Sequence, residues 1–575
     1  MKKSCIKLNL LIYLWLGVFS LISYFNLFLG ASNNIVVNKY WLHNVIICFL
    51  INVLVFNLFK KKLPLIILSI ISFIWSTISY FVLQLHGGAL CFSLFKNFRT
   101  AISVVDSYHL SFSLRLLFII VVFAIGLAIL LVFPKKYIDE YKSQKIHVAF
   151  KVSFLAILAF YSYFSYTVAN TNMSWAPFFI IENRGYMSYL ITDSIYCFNH
   201  FNKPDGYDEA LIPTDIKGWD DNVSDTRPDI IVILNESFSD ISKYSDVKLD
   251  SDPLASLNDI DNLHIGYCIT PNAGGGTNTS EYELLTSNST ALLSIGAPFN
   301  FINFEKHNAS IVPFLEKNDY STYAFHCYSA ENYNRKIAYT AMGFDNIYLG
   351  PDKYENHHKN GNRDWLDSDN YADLIRVYNE SDASPKFMYL LTYQNHGGYE
   401  QNNPEMDTIH SIGEYTVSND IIDEYMSSVA LSAQAFKELT DYYATVKRPV
   451  IICMVGDHNF SYCTTLNTVS ANNDEKEIAD RTVPYLVWSN FDMDTTVFTE
   501  YTSMIDLVPS VLYSAGIPLD DYYKQVLNLH EMIPGLTTFG VYIDNDKTVS
   551  NLSENDEYEK AWNNYLFAEY KRLKE

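Results

Sequence analysis

The chain has 575 residues, 49% of them hydrophobic and 18% charged, which is too long for one ordinary domain and too apolar for a wholly soluble one. Of its 41 basic and 64 acidic residues, 15 and 3 lie in residues 1–170 (net +12), and the other 26 and 61 lie beyond (net −35). That acidic part is excluded as a nucleic-acid binder, because phosphate contacts need clustered cations. Eight scattered cysteines without a CxxC give neither a metal ribbon nor an obligatory disulfide framework.

Apolar stretches at about 8–30, 41–59, 63–85, 116–133 and 148–168 each approach the ~20 residues that cross a bilayer as helix, predicting five transmembrane helices in residues 1–170. The first is too long for a signal peptide. "MKK", "KKK" at 60–62 and "PKKYIDEYKSQK" at 134–145 all become cytoplasmic if the N-terminus is inside, so everything after the fifth span lies outside the cell membrane. Lys96, Arg99 and Arg115 oppose that orientation weakly. Residues 86–113 read either as an amphipathic helix along the outer interface or as an ordinary loop. Residues 171–227 are expected to link the two parts at the outer membrane surface, and residues 228–575 to form an extracellular domain.

In that domain "PDIIVILNES" (228–237) is a continuous apolar run, the mark of a strand buried on both faces. The segments 321–328, 385–396, 448–459 and 483–490 repeat it. Between them Ile422, Tyr425, Met426, Val429, Ala433, Phe436 and Leu439 keep helical spacing. Residues 503–518 read as a helix ending at Gly516, and 551–575 as a terminal helix. Alternating strands and helices predict a mainly parallel α/β sheet, whose ligands bind beyond the carboxyl ends of the strands. Polar residues cluster at those ends: Glu236, His396, and the pair Asp457 and His458.

Two carboxylates and an imidazole suit a divalent ion, and without a thiolate Mn2+ or Mg2+ fits better than structural zinc. "AGGGTNTSEYELL" (273–285) sets Thr277 between a glycine turn and a helix start, where backbone N–H groups favour anions. Metal coordination lowers a hydroxyl's pKa and makes a nucleophile of it. Thr277 read alone is more readily an N-cap in a flexible loop than a nucleophile, and Thr279 and Ser280 are rival hydroxyls.

"NESF", "GGGTNTSEYE" and "VGDHN", behind membrane spans, resemble the lipoteichoic acid synthase-like branch of the sulfatase/alkaline phosphatase superfamily, and "IDLVPSVLYSAGI" is similar to that superfamily's late helix. The resemblance implies an α/β sulfatase-like domain in which Glu236, Thr277, Asp457 and His458 bind one Mn or Mg ion and Thr277 becomes covalently loaded. The family's Glu four residues after the nucleophile matches "TNTSE" and favours Thr277 over Thr279. "HCYSAENYNR" and "NHGGY" are similar to its substrate segments, which implies substrate-binding roles for His326, Tyr333, Arg335 and His396. Tyr328 and Tyr333 stand where the family has Asp and Trp. "CITPN" at 268–272 lacks the C-x-P-x-R pattern of true sulfatases.

The implied activity is a membrane-anchored phosphoglycerol transferase, taking glycerol-phosphate from phosphatidylglycerol among the membrane lipids. The acceptor would be a glycolipid-linked polymer or a surface glycan. The alternatives are a phosphoethanolamine transferase with the same core and a non-catalytic surface scaffold or sensor.

Overall fold

A computed structural model describes residues 2–31, 40–86, 90, 92, 113–142, 154–155, 157–164, 181, 184–198, 202–214, 216, 218–224, 227–293, 310–330, 332–357, 365–399, 406–467, 470 and 472–574. They fall into two compact units, residues 1–200 with 331–333, and residues 201–330 with 334–575.

In the first unit four helices are long and apolar enough to cross a membrane: Lys7–Ala31, Trp41–Phe59, Lys62–Phe81 and Leu114–Val132. They coincide with the first four expected spans. The expected fifth, 148–168, is described only at 154–155 and 157–164, which are helical. Most of the segment 86–113 lies outside the described residues. In lipid, polar side chains are costly unless they find partners. Here Asn52 Nδ2 donates to Ser20 Oγ at 2.9 Å and Asn26 Nδ2 to the Ile119 carbonyl at 2.7 Å, each joining two helices. Asn44 binds both the Arg184 carbonyl and the Ser188 N–H, fixing the short helix Tyr186–Phe198 to the second span.

The second unit is built on eight strands: β1 (Asp229–Asn235), β2 (Leu263–Ile269), β3 (Ser321–His326), β4 (Asn346–Leu349), β5 (Lys386–Leu391), β6 (Val450–Gly456), β7 (Thr482–Ser489) and β8 (Tyr501–Ser503). Their order is β4-β3-β5-β1-β6-β7-β2-β8, parallel throughout except where β7 runs against β6 and β2. The five expected strands are β1, β3, β5, β6 and β7. β1 is buried at all seven positions, as a central strand must be when helices cover both faces. Ile422, Tyr425, Met426, Val429, Ala433, Phe436 and Leu439 line the buried face of the helix Asn419–Tyr443. Fully burying an aliphatic side chain contributes about 1.5–3 kcal/mol, so this stripe holds the helix to the sheet.

The helix Met504–Ser514 starts with a capping box between Ser503 and Asp506 and packs on the helix Thr277–Thr286. The terminal helix Asp556–Lys574 grips the far end of that same helix. Arg572 Nη1 donates to the Thr286 carbonyl at 2.7 Å, the Tyr565 hydroxyl donates to the Ser287 carbonyl, and Glu569 accepts the Ser289 N–H.

Glu283, on the same helix, accepts from the Thr290 N–H and hydroxyl, both at 2.8 Å. Burial dominates these bonds and pushes its carboxyl from 4.5 up to about 7. Between those pH values the folded chain keeps a proton that the unfolded chain releases, so stability falls as pH rises through the window. Glu283→Gln is therefore expected to flatten the loss of stability between pH 5 and 8 by up to ~3 kcal/mol. Unfolding midpoints of the full chain at both pH values measure it, and parallel profiles for the two proteins would refute it.

Candidate metal centre and active site

The site grows from the carboxyl ends of β1 and β6, which are adjacent and in register from Asp229↔Val450 to Asn235↔Gly456. Glu236 and Asp457 are the next residues on each strand, and so emerge side by side. Gly456 makes that approach possible, since a Cβ there would sit 2.2 Å from the Phe238 carbonyl oxygen. Ser237 turns the chain with φ 48°, and its N–H donates to Asp457 Oδ1 at 2.6 Å. The Ser237 hydroxyl donates to Glu236 Oε1 at 2.9 Å. His458 Nε2 lies 3.5 Å from Glu236 Oε1 and 3.3 Å from Asp457 Oδ2. Its Nδ1, 2.8 Å from the Asn459 carbonyl, donates there and so fixes the ring.

The glycine loop is tied to the same strand end by a bridge between Gly274 and Asn459. Gly275 and Gly276 take φ 81° and 86°, conformations costly for other residues, and deliver Thr277 as the first residue of its helix. Thr277 Oγ1 lies 3.4 Å from Glu236 Oε2. The rival hydroxyls are turned elsewhere: Thr279 Oγ1 donates to the Gly276 carbonyl and Ser280 Oγ to the Asp457 carbonyl. The four side chains expected from distant parts of the sequence therefore meet.

Burial and the neighbouring Glu236 raise the Asp457 carboxyl. For His458 burial opposes the charge, but the Asp457 and Glu236 carboxylates outweigh it and raise its pKa. Asp457 Oδ2 is buried and accepts no hydrogen bond. Ligand atoms of Glu236, Asp457 and His458 lie within 4.8 Å of one another. Donors on opposite sides of a Mg-sized ion are about 4.2 Å apart, so a buried, electron-rich set with an orphaned oxygen fits a divalent cation.

The expected substrate residues divide. Arg335 begins the helix Arg335–Met342 and is buried against Glu281, with Nε and Nη2 at 2.9 and 2.8 Å from Oε2. His326 ends β3, and its Nδ1 is 3.2 Å from the Leu391 carbonyl while its Nε2 is 3.4 Å from Arg335 Nη1. A carbonyl only accepts and a guanidinium only donates, so His326 is neutral with its proton on Nδ1. Burial, reinforced by Arg335, holds its pKa well below the usual range. His396 is exposed after β5 and stacks on Tyr393 at 4.8 Å. Tyr333, in the turn Asn332–Asn334, is grouped with the first unit.

Sequence reasoning used Glu281 only as a spacing mark. In the fold it is the buried partner of Arg335 and also accepts from the Tyr339 hydroxyl. Missed as well was a polar network beneath the site, in which Asp367 accepts from Asn235 and Ser432 at 2.7 Å each, and Asn395 donates to Asn235 Oδ1. Its only signal was "QN" preceding His396 and Asn preceding Glu236.

A largely parallel sheet with a carboxylate–imidazole cluster and a helix-borne hydroxyl at its carboxyl ends is the arrangement of the alkaline phosphatase superfamily. The chain belongs to the Sulfatase family, which residues 228–517 match. A Rhizobium meliloti protein, named provisionally for modification of cyclic beta-1,2-glucan, is 29% identical over 278 residues, 46% of this chain and 42% of its own length. Lipoteichoic acid synthase 2 of Bacillus subtilis is 24% identical over 261 residues, 43% of this chain and 38% of its own. The chain thus spans less than half of either relative. The solved structure of Streptococcus pyogenes phosphoglycerol transferase GacH, in complex with sn-glycerol-1-phosphate, superposes with a TM-score of 0.52 at 19% identity, covering 65% of this chain and 95% of that one. At that identity the likeness is one of fold.

Proposed function

We propose that the chain is a membrane-anchored, metal-dependent phosphoglycerol transferase whose domain from residue 228 onward faces outward. The observation that carries this reading is the approach of Thr277 Oγ1 to Glu236, beside Asp457 and His458. The likeness to a lipoteichoic acid synthase, the fold shared with a phosphoglycerol transferase and the apolar N-terminal helices support it.

Glu236, Asp457, His458 and Thr277 would hold one Mn2+ or Mg2+ ion. When bound, that ion supplies positive charge that lowers the pKa of the threonine hydroxyl and offsets charge on the phosphoryl oxygens. Thr277 Oγ1 gives up its proton and attacks the phosphorus of phosphatidylglycerol. A Thr277 O–P bond forms, the P–O bond to diacylglycerol breaks, and the diacylglycerol oxygen leaves with a proton. Glu281 and His326 hold the Arg335 guanidinium in one orientation, and in this reading it would bind the phosphoryl group. His396, exposed at the rim, would pass a proton to the leaving diacylglycerol oxygen and help carry one away from the entering hydroxyl. An acceptor hydroxyl on a glycolipid-linked polymer or surface glycan then takes the glycerol-phosphate.

Tyr328, where the family the sequence resembles has Asp, favours one second reading. Aromatic faces hold ammonium groups, so phosphatidylethanolamine is the rival donor. Incubating the full chain with phosphatidylglycerol or phosphatidylethanolamine, each labelled in its head group, and mapping the adduct by mass spectrometry separates the two. Label from phosphatidylglycerol on Thr277, abolished by chelation and restored by Mn2+, is the expected result. Ethanolamine-phosphate on Thr277 would replace the first reading by the second, and an unlabelled Thr277 would end both.

A further inference from the structure

An aromatic column stands at the rim of the sheet, with Tyr328 two residues beyond β3 and Tyr393 and His396 beyond β5. The Tyr328 and Tyr393 rings are 4.4 Å apart at 10°, and the Tyr393 and His396 rings 4.8 Å apart at 15°. Tyr393 also meets His326 edge-on at 6.5 Å, and His326 contacts Arg335, so the column adjoins the phosphate-binding guanidinium. Thr392, the residue before Tyr393, accepts the Glu236 N–H on its hydroxyl at 3.1 Å, so the column stands beside the carboxylate–imidazole cluster. Tyr328 keeps 40% of its surface exposed. Stacked pairs contribute about 0.5–1.5 kcal/mol each beyond burial, so the rings are ordered before any ligand arrives, and binding costs little further entropy.

The two acceptors left open above differ in chemistry. A glycerol-phosphate polymer has no ring to lie on an aromatic face and carries a negative charge per unit, while residues 171–575 carry net −35. A neutral hexopyranose has a face of C–H hydrogens that meets the electron-rich face of an aromatic ring, with hydroxyls at its edge left free to react. We infer that Tyr328, Tyr393 and His396 form an acceptor subsite for a neutral hexopyranose glycan, which presents a sugar hydroxyl to the loaded threonine. This rests on the transferase reading. The sugar oxygen–phosphorus bond forms as the Thr277 oxygen–phosphorus bond breaks, and the hydroxyl proton ends on Thr277.

The test is ligand-observed NMR with the full chain in detergent, using a neutral glucose oligosaccharide, a glycerol-phosphate oligomer and ethanolamine as separate probes. The oligosaccharide is expected to bind, Tyr328→Ala to weaken it about tenfold, the loss of ~1.4 kcal/mol, and Tyr328→Trp to restore it. No oligosaccharide binding, binding indifferent to Tyr328→Ala, tighter binding of the glycerol-phosphate oligomer, or displacement of the sugar by ethanolamine would each overturn the subsite. Thr277 loading from labelled phosphatidylglycerol is scored on the same wild-type protein. Failed loading with Tyr328-dependent sugar binding removes the transferase reading and the acceptor role with it, leaving the column as a sugar-binding site. Normal loading with Tyr328-independent sugar binding does the reverse.

Discussion

Thr277→Ala is expected to lower lipid turnover by roughly 10^4-fold or more, the scale seen when a covalent nucleophile is removed. Folding should be nearly unaffected, because the lost hydroxyl makes only a long contact of 3.4 Å with Glu236 and a bond to Asp457, and Ala is the best helix former. Thr277→Ser should keep measurable turnover. The neighbouring hydroxyls cannot substitute, since Thr279 is bonded back to Gly276 and Ser280 to the Asp457 carbonyl. Release of labelled diacylglycerol from vesicles measures the effect. Turnover in the Ala variant within tenfold of wild type would show that Thr277 is not the attacking group.

Glu281→Ala is expected to cost about 3–5 kcal/mol of stability, because it leaves the Arg335 charge buried without its partner. Arg335 is 3% and Glu281 0% exposed, so water cannot compensate. The Tyr339 and Tyr389 hydroxyls, which both point at Glu281 Oε1, lose their acceptor as well. Pairing Glu281→Leu with Arg335→Met should be less destabilising than either change alone, since no charge is then stranded. The double variant should nevertheless be inactive if Arg335 holds the phosphoryl group. Denaturation midpoints and turnover, measured on all four proteins, separate the two roles. Full turnover in the double variant would reduce the pair to scaffolding.

The elements legible in the sequence were those whose chemistry repeats. β1, β3, β5, β6 and β7 are unbroken apolar runs, and the helix Asn419–Tyr443 carries a regular stripe. β2 escaped because three of its seven positions are only partly buried, Ile265 is exposed and Gly266 interrupts it, with Tyr485 where a Cβ would project. β4 and β8 are four and three residues long, too short for any period. The reversed direction of β7 was illegible, since a run buried on both faces reads the same either way. The positions of Glu236, Thr277, Asp457 and His458 were legible because Glu236 and the Asp457–His458 pair lie just past a strand and Thr277 just past a glycine turn. The Arg335–Glu281 pair was not, since 54 positions separate its members and only packing selects the partner.

The grip of the Asp556–Lys574 helix on the carbonyl end of the Thr277–Thr286 helix sets a limit on biosynthesis. A nascent chain still on the ribosome can pair its strands as they emerge, but the carbonyl end of the helix that begins at residue 277 lacks its last partners until residue 572 has left the exit tunnel. The carbonyl end of that helix is therefore closed only after all eight strands of the sheet have emerged.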